Sequence, residues 1–183
     1  MLVMNKENLL HSLPVGPNPP KEIFCVVEIP TGCTNKYEYD REHGVFKLDR
    51  VLYEAVFYPT EYGFIPQTWD DDNDPLDIMV PVTFPTFPGC VITTRPVGVL
   101  KVIDTNEEDS KIIAVPKDEP RLANIKDLSD FDPHFKKEVE NFWENYAELQ
   151  PNKKIKIVGW GKVKAAYEII EKTSKIYQEK FKS

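Results

Sequence analysis

In this sequence, most of the segments with the hydrophobic pattern of a strand come before the segments with the pattern of a helix. Apolar or alternating runs predict strands at residues 24–29, 36–39, 45–48, 90–103, 111–115 and 154–158. Residues 36–50 are expected to form a hairpin, and the polar residues 104–110 a second hairpin loop. Two amphipathic segments, 133–149 and 163–181, predict helices. Strands that do not alternate with helices indicate an α+β fold, in which a small antiparallel sheet or barrel carries flanking helices.

The helix predicted at 133–149 has a clear start and an apolar stripe. Asp132 and Pro133 supply an N-cap and a first-turn proline. The apolar side chains recur at steps of three and four, at Phe135, Val139, Phe142, Trp143, Tyr146 and Leu149. Packing against the sheet is therefore the simplest role for each of these side chains, including Tyr146.

Length and composition restrict the class of protein. The 183 residues suffice for one domain with a sizeable core, and we expect a single domain over residues 1–183. The proline-rich residues 1–22 lack the pattern of a signal peptide and predict an irregular arm along the surface. A net charge of −7 argues against a nucleic-acid binder, which normally presents a basic face. Three cysteines without metal-ligand spacing favour reduced thiols in a cytoplasmic protein, and no run reaches the ~18 apolar residues of a membrane span.

A dense group of carboxylates lies in the run Asp72-Asn73-Asp74-Pro75-Leu76-Asp77, directly after Asp70 and Asp71. Two carboxylates about 5 Å apart repel each other by roughly 3 kcal/mol at an effective dielectric of ~20, so such a group lies on a solvated loop or is neutralised by cations. Pro75 stiffens the loop, and the apolar run at 78–82 ties Asp77 to a strand. Rigid oxygen ligands at a strand end suit a hard divalent ion such as Mg²⁺.

An EF-hand loop is excluded, although Asp70, Asp72 and Asp74 fit its first acidic positions. Its sixth position requires Gly where this chain has Pro75, and its twelfth requires Glu where this chain has Pro81. From these residues by themselves, a solvated acidic turn remains the alternative to a metal site.

No sequence motif indicates covalent catalysis. The chain has neither the Gly-x-Ser-x-Gly turn of serine hydrolases nor a Walker phosphate loop. His11, His43 and His134 fall in the arm, in a turn and at a helix start, so we expect all three at the surface. Acids combined with basic and phenolic groups suit metal-assisted attack of water on a phosphorylated substrate.

The run from Asp72 to Ile78 matches the Asp-x-Asp-Pro-x-Asp motif of the soluble, Mg²⁺-dependent inorganic pyrophosphatases of family I. Further matching segments follow in the family's order, at residues 27–30, 36–38, 49–50, 57–59, 62–63, 95–100 and 142–146. The chain thus resembles this family from about Asn8 to the last helix. The resemblance implies an OB-like five-stranded antiparallel β-barrel with flanking α-helices, and hydrolysis of pyrophosphate to two phosphates.

The resemblance also implies roles for the acids. Asp72, Asp77 and Asp109 would ligate two activating Mg²⁺ ions, with Asp77 between them. Asp104, together with Asp109, would hold a further ion that arrives with the substrate. Asp74 would be the general base for the attacking water.

For the substrate, the resemblance implies phosphate contacts from Lys36, Arg50, Tyr62, Lys111 and Tyr146. Around them, the cavity would be lined by Glu28, Glu38 and Tyr58. Arginine offers a planar fork to phosphate oxygens, whereas lysine acts as a point charge. The residues alone leave other roles open, because Lys36 and Glu38 also fit a surface ion pair worth under ~1 kcal/mol.

Two positions depart from the family pattern. Ala147 stands where most members have Lys after the equivalent of Tyr146, and Thr105 stands where many carry an acid after the equivalent of Asp104. We expect residue 147 near the rim of the substrate cavity, where Ala147 removes a phosphate contact. The nearest lysines, Lys153 and its neighbour, lie beyond the predicted helix end. Either a lysine from another segment reaches the cavity, or this chain holds its substrate less tightly than its relatives do, and the sequence favours the second alternative.

Two functions without catalysis remain as alternatives. One is a barrel that binds divalent cations without turnover, and the other is an OB-type barrel that binds single-stranded nucleic acid. The negative net charge disfavours the second. As partners, the resemblance implies pyrophosphate as its magnesium complex and further copies of the chain in a homo-oligomer, often a hexamer.

Overall fold

The computed structural model describes residues 8–105 and 107–182. Its strands are β1 (Ile23–Ile29), β2 (Asn35–Asp40), β3 (Val45–Val51), β4 (Glu61–Phe64), β5 (Asp77–Val80), β6 (Val91–Asp104), β7 (Glu107–Pro116) and β8 (Ile155–Lys162). Its helices are α1 (Leu9–Ser12), α2 (Pro133–Asn145) and α3 (Val163–Phe181), and 3-10 turns lie at Pro120–Leu122 and Leu128–Asp130. The α+β class predicted from the sequence is confirmed.

Within these residues, five strands close a ring in the order β1–β4–β5–β7–β6, with β6 pairing back to β1. This ring is the expected OB-like barrel. Its junctions are antiparallel as predicted, except that β5 and β7 pair in parallel. In the sheet, β7 lies between β5 and β6. It runs antiparallel to β6, its partner in the hairpin, and parallel to β5 on the other side. Its register sets Asp77 opposite Lys111.

The long strand β6 connects the barrel to the rest of the sheet. Its first residues pair with β1, where Ile23 lies opposite Thr94, and its last residues pair with β8, where Ile155 lies opposite Asp104. Irregularities in the pairing near Gly98 and near Val102 bend the strand between these two ladders. One strand therefore carries both the barrel wall and the outer strand β8.

The barrel strands present alternate residues to two hydrophobic clusters. Ile113 belongs to the cluster that contains Trp143 of α2, and Ile112 belongs to the cluster that contains Ile170 of α3. Both isoleucines of β7 are fully buried, and each such side chain stabilises the fold by about 1.5–3 kcal/mol. The helices α2 and α3 therefore cover opposite faces of this strand.

The N-terminal arm is partly helical, which corrects the prediction of an irregular segment. The Asn8 side chain caps α1 by accepting a hydrogen bond from the Leu10 N–H at 2.9 Å. Leu10 is buried and shares a cluster with Tyr177 of α3. Burial of this leucine gives the capped turn a hydrophobic anchor. Residues 1–7 of the predicted arm lie outside the described residues.

Other element boundaries differ from the sequence prediction. The prediction lacks β4, because all of its residues are buried and no alternation marks it. The predicted loop at 104–110 is mostly strand, since β6 extends to Asp104 and β7 begins at Glu107. Helix α2 ends at Asn145 instead of 149, and Leu149 is 65% exposed. No helix in the described part of the chain is both long and apolar enough to cross a membrane.

Candidate active site

A cavity of about 270 Å³ collects most of the predicted site residues. Its lining includes Glu28, Lys36, Glu38, Tyr62, Asp72, Asp74, Asp77, Asp104, Asp109, Lys111 and Tyr146. Arg50 and Tyr58 lie behind this lining and contact Tyr146. Arg50 Nη2 donates to the Tyr146 hydroxyl at 3.2 Å, and the Tyr58 and Tyr146 ring centroids are 6.1 Å apart. The fold therefore brings residues from distant segments to one place.

The parallel pairing of β5 with β7 places a cation between two carboxylates. Lys111 lies opposite Asp77 in the register and is 2% exposed. Its Nζ donates to Asp109 at 2.5 Å and 2.6 Å, and it also donates to Asp77. Burial acts to lower the pKa of Lys111, but the charges of Asp77 and Asp109 outweigh burial and raise that pKa. The buried ammonium is therefore charged.

Tyr62 of β4 is a second donor to Asp77. Its hydroxyl donates to Asp77 Oδ2. A Cβ atom at Gly63 would lie 2.0 Å from the Val26 carbonyl oxygen, so glycine allows β4 to approach β1 closely beside Tyr62. Burial raises the pKa of Tyr62 well above its usual value, and the charge of Asp77 adds to this effect. Tyr62 therefore stays protonated and remains a donor.

The loop before β5 carries two further carboxylates. Asn73 has φ +67°, a left-handed conformation that asparagine tolerates, and the turn lets the Asp74 N–H donate to Asp72 Oδ1 at 3.0 Å. Burial raises the pKa of Asp72 to about 7, and the charges of Asp77 and Asp109 add to the rise. The electrostatic repulsion between carboxylates that the sequence predicts is therefore present at Asp72.

Asp74 faces the open side of the cavity. The cavity walls limit the hydration of its carboxyl and raise its pKa to about 6; Arg41 acts in the opposite direction, and Asp77 adds to the rise. An Arg41 guanidinium nitrogen lies 3.1 Å from Asp74 Oδ1, and the same guanidinium lies 5.1 Å from the Trp69 ring centroid. A carboxyl with this pKa suits proton transfer near neutral pH.

The β2–β3 hairpin supplies a basic wall. The register sets Lys36 opposite Arg50. Lys36 Nζ contacts Glu38 and lies 3.5 Å from Asp49, and Arg50 also contacts Asp49. The ion pair inferred for Lys36 and Glu38 is therefore present, and it lies at the cavity wall.

Tyr146 belongs to the core and to the cavity. It is the C-cap residue of α2 and is 3% exposed. Its ring packs against Trp143 and Phe142 at centroid distances of 5.1 and 5.5 Å, and its hydroxyl faces Arg50. Core packing and a place at the site are compatible, because the ring and the hydroxyl have different neighbours.

Glu28 adds little negative charge to this acidic cavity. Its Oε1 accepts a hydrogen bond from the Tyr39 N–H at 2.7 Å. Burial raises the pKa of Glu28 to about 8; the Tyr39 bond opposes this rise, and the charges of Asp77 and Asp74 add to it. Glu28 is therefore mostly protonated at neutral pH.

The carboxylates fit a hard cation, although their side chains are not assembled into a metal centre. Among residues 8–105 and 107–182, no three acidic, histidine or cysteine side chains form a group that could hold a metal ion. Several acids face side-chain cations instead: Lys111 contacts Asp77, and Lys153 Nζ lies 2.8 Å from Asp104 Oδ2. A divalent ion would relieve the repulsion that contributes to the raised pKa of Asp72, and oxygen-only ligands suit Mg²⁺.

Among the described residues that line the cavity, two charged ones are absent from the predicted site. Arg41 follows β2 at the hairpin turn, and Lys153 lies in the loop before β8. No sequence signal marks either residue, because each side chain reaches the cavity through the fold of its own loop. His11, His43 and His134 are exposed, as predicted.

Ala147 does not lie at the rim of the cavity. The chain turns after Asn145, and Ala147 is 3% exposed within the core cluster around α2. The following residues fold back, so that Lys153 lines the cavity with Nζ 5.6 Å from the Tyr146 ring centroid. A lysine from beyond the helix end therefore does line the cavity, which removes the reason for favouring weaker substrate binding over that alternative.

Comparison with known proteins identifies the family. The family profile described as inorganic pyrophosphatase matches residues 25–178. The chain is 45% identical over 174 residues to the inorganic pyrophosphatase of Haloferax volcanii, covering 95% of this chain and 98% of the relative. It is 47% identical over 159 residues to that of Geobacillus stearothermophilus, covering 87% and 96%. The crystal structure of the Thermus thermophilus inorganic pyrophosphatase superposes with a TM-score of 0.90 at 43% identity, covering 93% of this chain and 99% of that chain. The chain therefore belongs to the inorganic pyrophosphatase family.

Proposed function

We propose that this protein is an inorganic diphosphatase that hydrolyses pyrophosphate to two phosphates, with Asp74 as the general base. The observation that carries the proposal is a single cavity in which the acids of the 72–77 loop meet the donors Lys36, Tyr62 and Lys111. Pyrophosphate carries several negative charges, so its cleavage requires fixed donors for the phosphate oxygens and an acceptor for the proton of water. Membership of the family supports this substrate.

Several side chains would bind the phosphate oxygens. The Lys111 ammonium and the Tyr62 hydroxyl both point at Asp77, where they are held as donors by the fold. Lys36 and Arg50 lie on the hairpin wall, and Tyr146 lies next to Arg50. The fold holds these donors close to the place of the substrate, so each needs only to exchange its present acceptor for a phosphate oxygen in order to stabilise the charge on the departing phosphate.

Asp74 would accept the proton of the attacking water. The water oxygen forms a bond to one phosphorus, its proton passes to the Asp74 carboxylate, and the bridging P–O bond breaks to release the other phosphate. Arg41, at 3.1 Å, orients this carboxylate and favours its ionised form.

The family implies a divalent metal cofactor, and we propose Mg²⁺. Asp72, Asp77 and Asp109 would hold two activating ions, and Asp104 would share with Asp109 a further ion that arrives with magnesium pyrophosphate. Bound ions would neutralise substrate charge and lower the pKa of the attacking water. Glu28, which accepts a hydrogen bond from the Tyr39 N–H, would line the cavity without a direct contact to these ions, and Glu38 and Tyr58 would support Lys36 and Tyr146.

Phosphate release from magnesium pyrophosphate tests the proposal. The wild type should exceed about 1 s⁻¹. Asp74→Asn keeps the shape of the side chain but cannot accept the proton, so the rate should fall by about 10²–10⁴-fold. The control Asp71→Asn removes an exposed acid of the same loop, whose Oδ2 lies 2.7 Å from Lys172 Nζ, and it should behave like the wild type.

Calorimetry of Mg²⁺ binding separates a base from a ligand. Asp74→Asn should bind Mg²⁺ nearly as well as the wild type. A collapse of metal affinity would show that Asp74 is a ligand and that its assignment as base is wrong. A wild type that binds Mg²⁺ but releases no phosphate would establish the barrel without turnover. Neither that alternative nor the nucleic-acid binder is favoured by the family membership.

We also propose that residues 1–183 form one domain, which works in the cytoplasm and assembles as a homo-oligomer, with the hexamer as the form to be tested. The free thiols of Cys25, Cys33 and Cys90 support a reducing compartment. Phe84 and Phe87 are 74% and 65% exposed, and burial of such side chains between subunits would favour assembly. Light scattering should give the mass of six chains, and the mass of one chain would refute the assembly.

A further inference from the structure

A lysine outside the predicted site reaches the wall that carries Tyr146. Lys153 lines the cavity, and its Nζ lies 5.6 Å from the Tyr146 ring centroid. The Tyr146 hydroxyl in turn accepts a hydrogen bond from Arg50 at 3.2 Å. Arg50, Tyr146 and Lys153 therefore adjoin one another, and each offers a donor suited to phosphate oxygens.

The backbone on both sides of Lys153 is fixed. Before it, the Leu149 N–H donates to Glu54 Oε1 at 2.8 Å. After it, the Lys154 carbonyl accepts a hydrogen bond from the Thr105 N–H at 2.8 Å. The side chain of Lys153 thus starts from a defined point at the cavity, although it is itself 29% exposed and long enough to change direction.

In this structure Lys153 pairs with Asp104, to which the proposed function assigns a different role, that of a metal ligand. Lys153 Nζ lies 2.8 Å from Asp104 Oδ2, and Asp104 is a proposed ligand of the ion that arrives with the substrate. A divalent cation held by Asp104 would repel the ammonium and would favour the departure of Lys153 from that carboxylate. The arriving pyrophosphate brings new anionic oxygens into the same cavity.

We propose that Lys153 is a substrate-binding residue, which pairs with Asp104 in the free protein and with a phosphate oxygen of pyrophosphate in the complex. In this chain it supplies a second cation beside Tyr146, in addition to Arg50, whereas Ala147 is buried and carries no charge. This inference rests on the proposed hydrolysis of pyrophosphate. It assigns to Lys153 a contact with substrate and no part in proton transfer.

Steady-state kinetics of Lys153→Ala test the assignment. A lost hydrogen bond between charged groups should raise the KM for magnesium pyrophosphate by about 10-fold or more. The kcat should change by less than about threefold, because the proton acceptor and the other donors remain. Lys153→Arg keeps the charge and should recover most of the affinity.

Lys154→Ala is the matched control. It removes the same charge from the adjacent residue, whose side chain is exposed, and it leaves the backbone bond to Thr105 intact. Its KM should equal that of the wild type. Equal increases in KM for both variants would show a general effect of charge and would refute a specific contact of Lys153.

Binding measurements extend the test beyond turnover. In calorimetry with Mg²⁺ and methylenediphosphonate, a pyrophosphate analogue that is not hydrolysed, Lys153→Ala should lose affinity by the same factor as in KM. Mg²⁺ alone should bind Lys153→Ala at least as well as the wild type, because Asp104 loses a competitor. A fall in thermal stability with unchanged KM and unchanged analogue affinity would make Lys153 a brace for the turn at Thr105 and would overturn the proposal.

The two proposals can fail separately. A wild type without phosphate release refutes hydrolysis, while analogue binding by Lys153→Ala still decides whether this lysine contacts a diphosphate. An active wild type whose Lys153→Ala variant has the same KM and the same analogue affinity refutes only the role of Lys153.

Discussion

Within one cavity, the carboxylates on the barrel strands and those on the acidic loop have different partners. Asp77 and Asp109 both accept hydrogen bonds from the buried Lys111, which the register of β5 and β7 sets between them. On the loop, Asp72 accepts from the Asp74 backbone at 3.0 Å, and burial raises its pKa to about 7. The strand acids therefore carry a fixed countercharge, whereas the loop acids keep part of their mutual repulsion.

The difference explains how one site can contain so many acids. An unpaired buried charge is costly, and a fixed ammonium offsets part of that cost for the strand acids, although burial and the charge of Asp77 still raise the pKa of Asp109. The loop is more open, so water screens its acids in part, and a bound cation would neutralise the repulsion that remains. We expect substitutions on the strands to affect both stability and activity, and substitutions on the loop to affect mainly the response to ligand.

The largest effect is expected for Asp77→Ala on the strand side. This change removes the acceptor shared by Lys111 and Tyr62 together with a proposed ligand of both activating ions. Phosphate release should fall by about 10³-fold or more, and the tightest Mg²⁺ step in calorimetry should weaken. Asp104→Ala is the comparison, and it should mainly raise the Mg²⁺ concentration needed during turnover. Finding the two phenotypes exchanged would contradict the proposed order of the metal sites.

Lys111→Met tests the countercharge itself. It leaves Asp77 and Asp109 facing each other without a cation, so unfolding by denaturant in a chelator should show a loss of about 3–5 kcal/mol. Added Mg²⁺ should restore part of the loss. Lys117→Met, which removes the exposed partner of Glu22, should change stability little. An equal loss of unfolding free energy in both variants would show that the buried contacts of Lys111 stabilise the fold no more than the exposed contact of Lys117 does.

The smallest effect is expected for Arg41→Gln on the loop side. Arg41 and Asp74 are 39% and 63% exposed, so their pair should contribute less than about 1 kcal/mol, or about fivefold in kcat/KM. The measurement is the kcat/KM for phosphate release by Arg41→Gln, compared with that of Asp74→Asn and of the wild type. A loss as large as that of Asp74→Asn would place Arg41 in contact with the substrate.

The sequence predicted most of the residues that line the cavity, because the acids are contiguous at 72–77 and the other matching segments keep the family's order. The closed barrel was implied by the resemblance to the family. The residues by themselves predicted only a small antiparallel sheet or barrel, with apolar runs that mark β1, β6 and β7. Their roles as base, ligands and phosphate contacts stay predictions.

The remaining features depend on tertiary structure. The fully buried β4 has no alternation to mark it. The apolar stripe extends to Leu149, but the helix ends earlier, and the Leu149 N–H bonds to Glu54, which lies 95 residues away in the chain. This turn buries Ala147 and returns Lys153 to the cavity. Contacts between such distant segments leave no local pattern in the sequence.

The parallel junction of β5 with β7 also determines when the site can form. The Asp77–Lys111 contact joins residues that are 34 positions apart, and the whole of β6 lies between them in the chain. Contacts between residues distant in the chain cost loop-closure entropy and slow folding. A hairpin or helix that folds early contains only part of the cavity. A newly made chain therefore gains its active site at the step that inserts β7 beside β5, and folding intermediates that precede this step should be inactive.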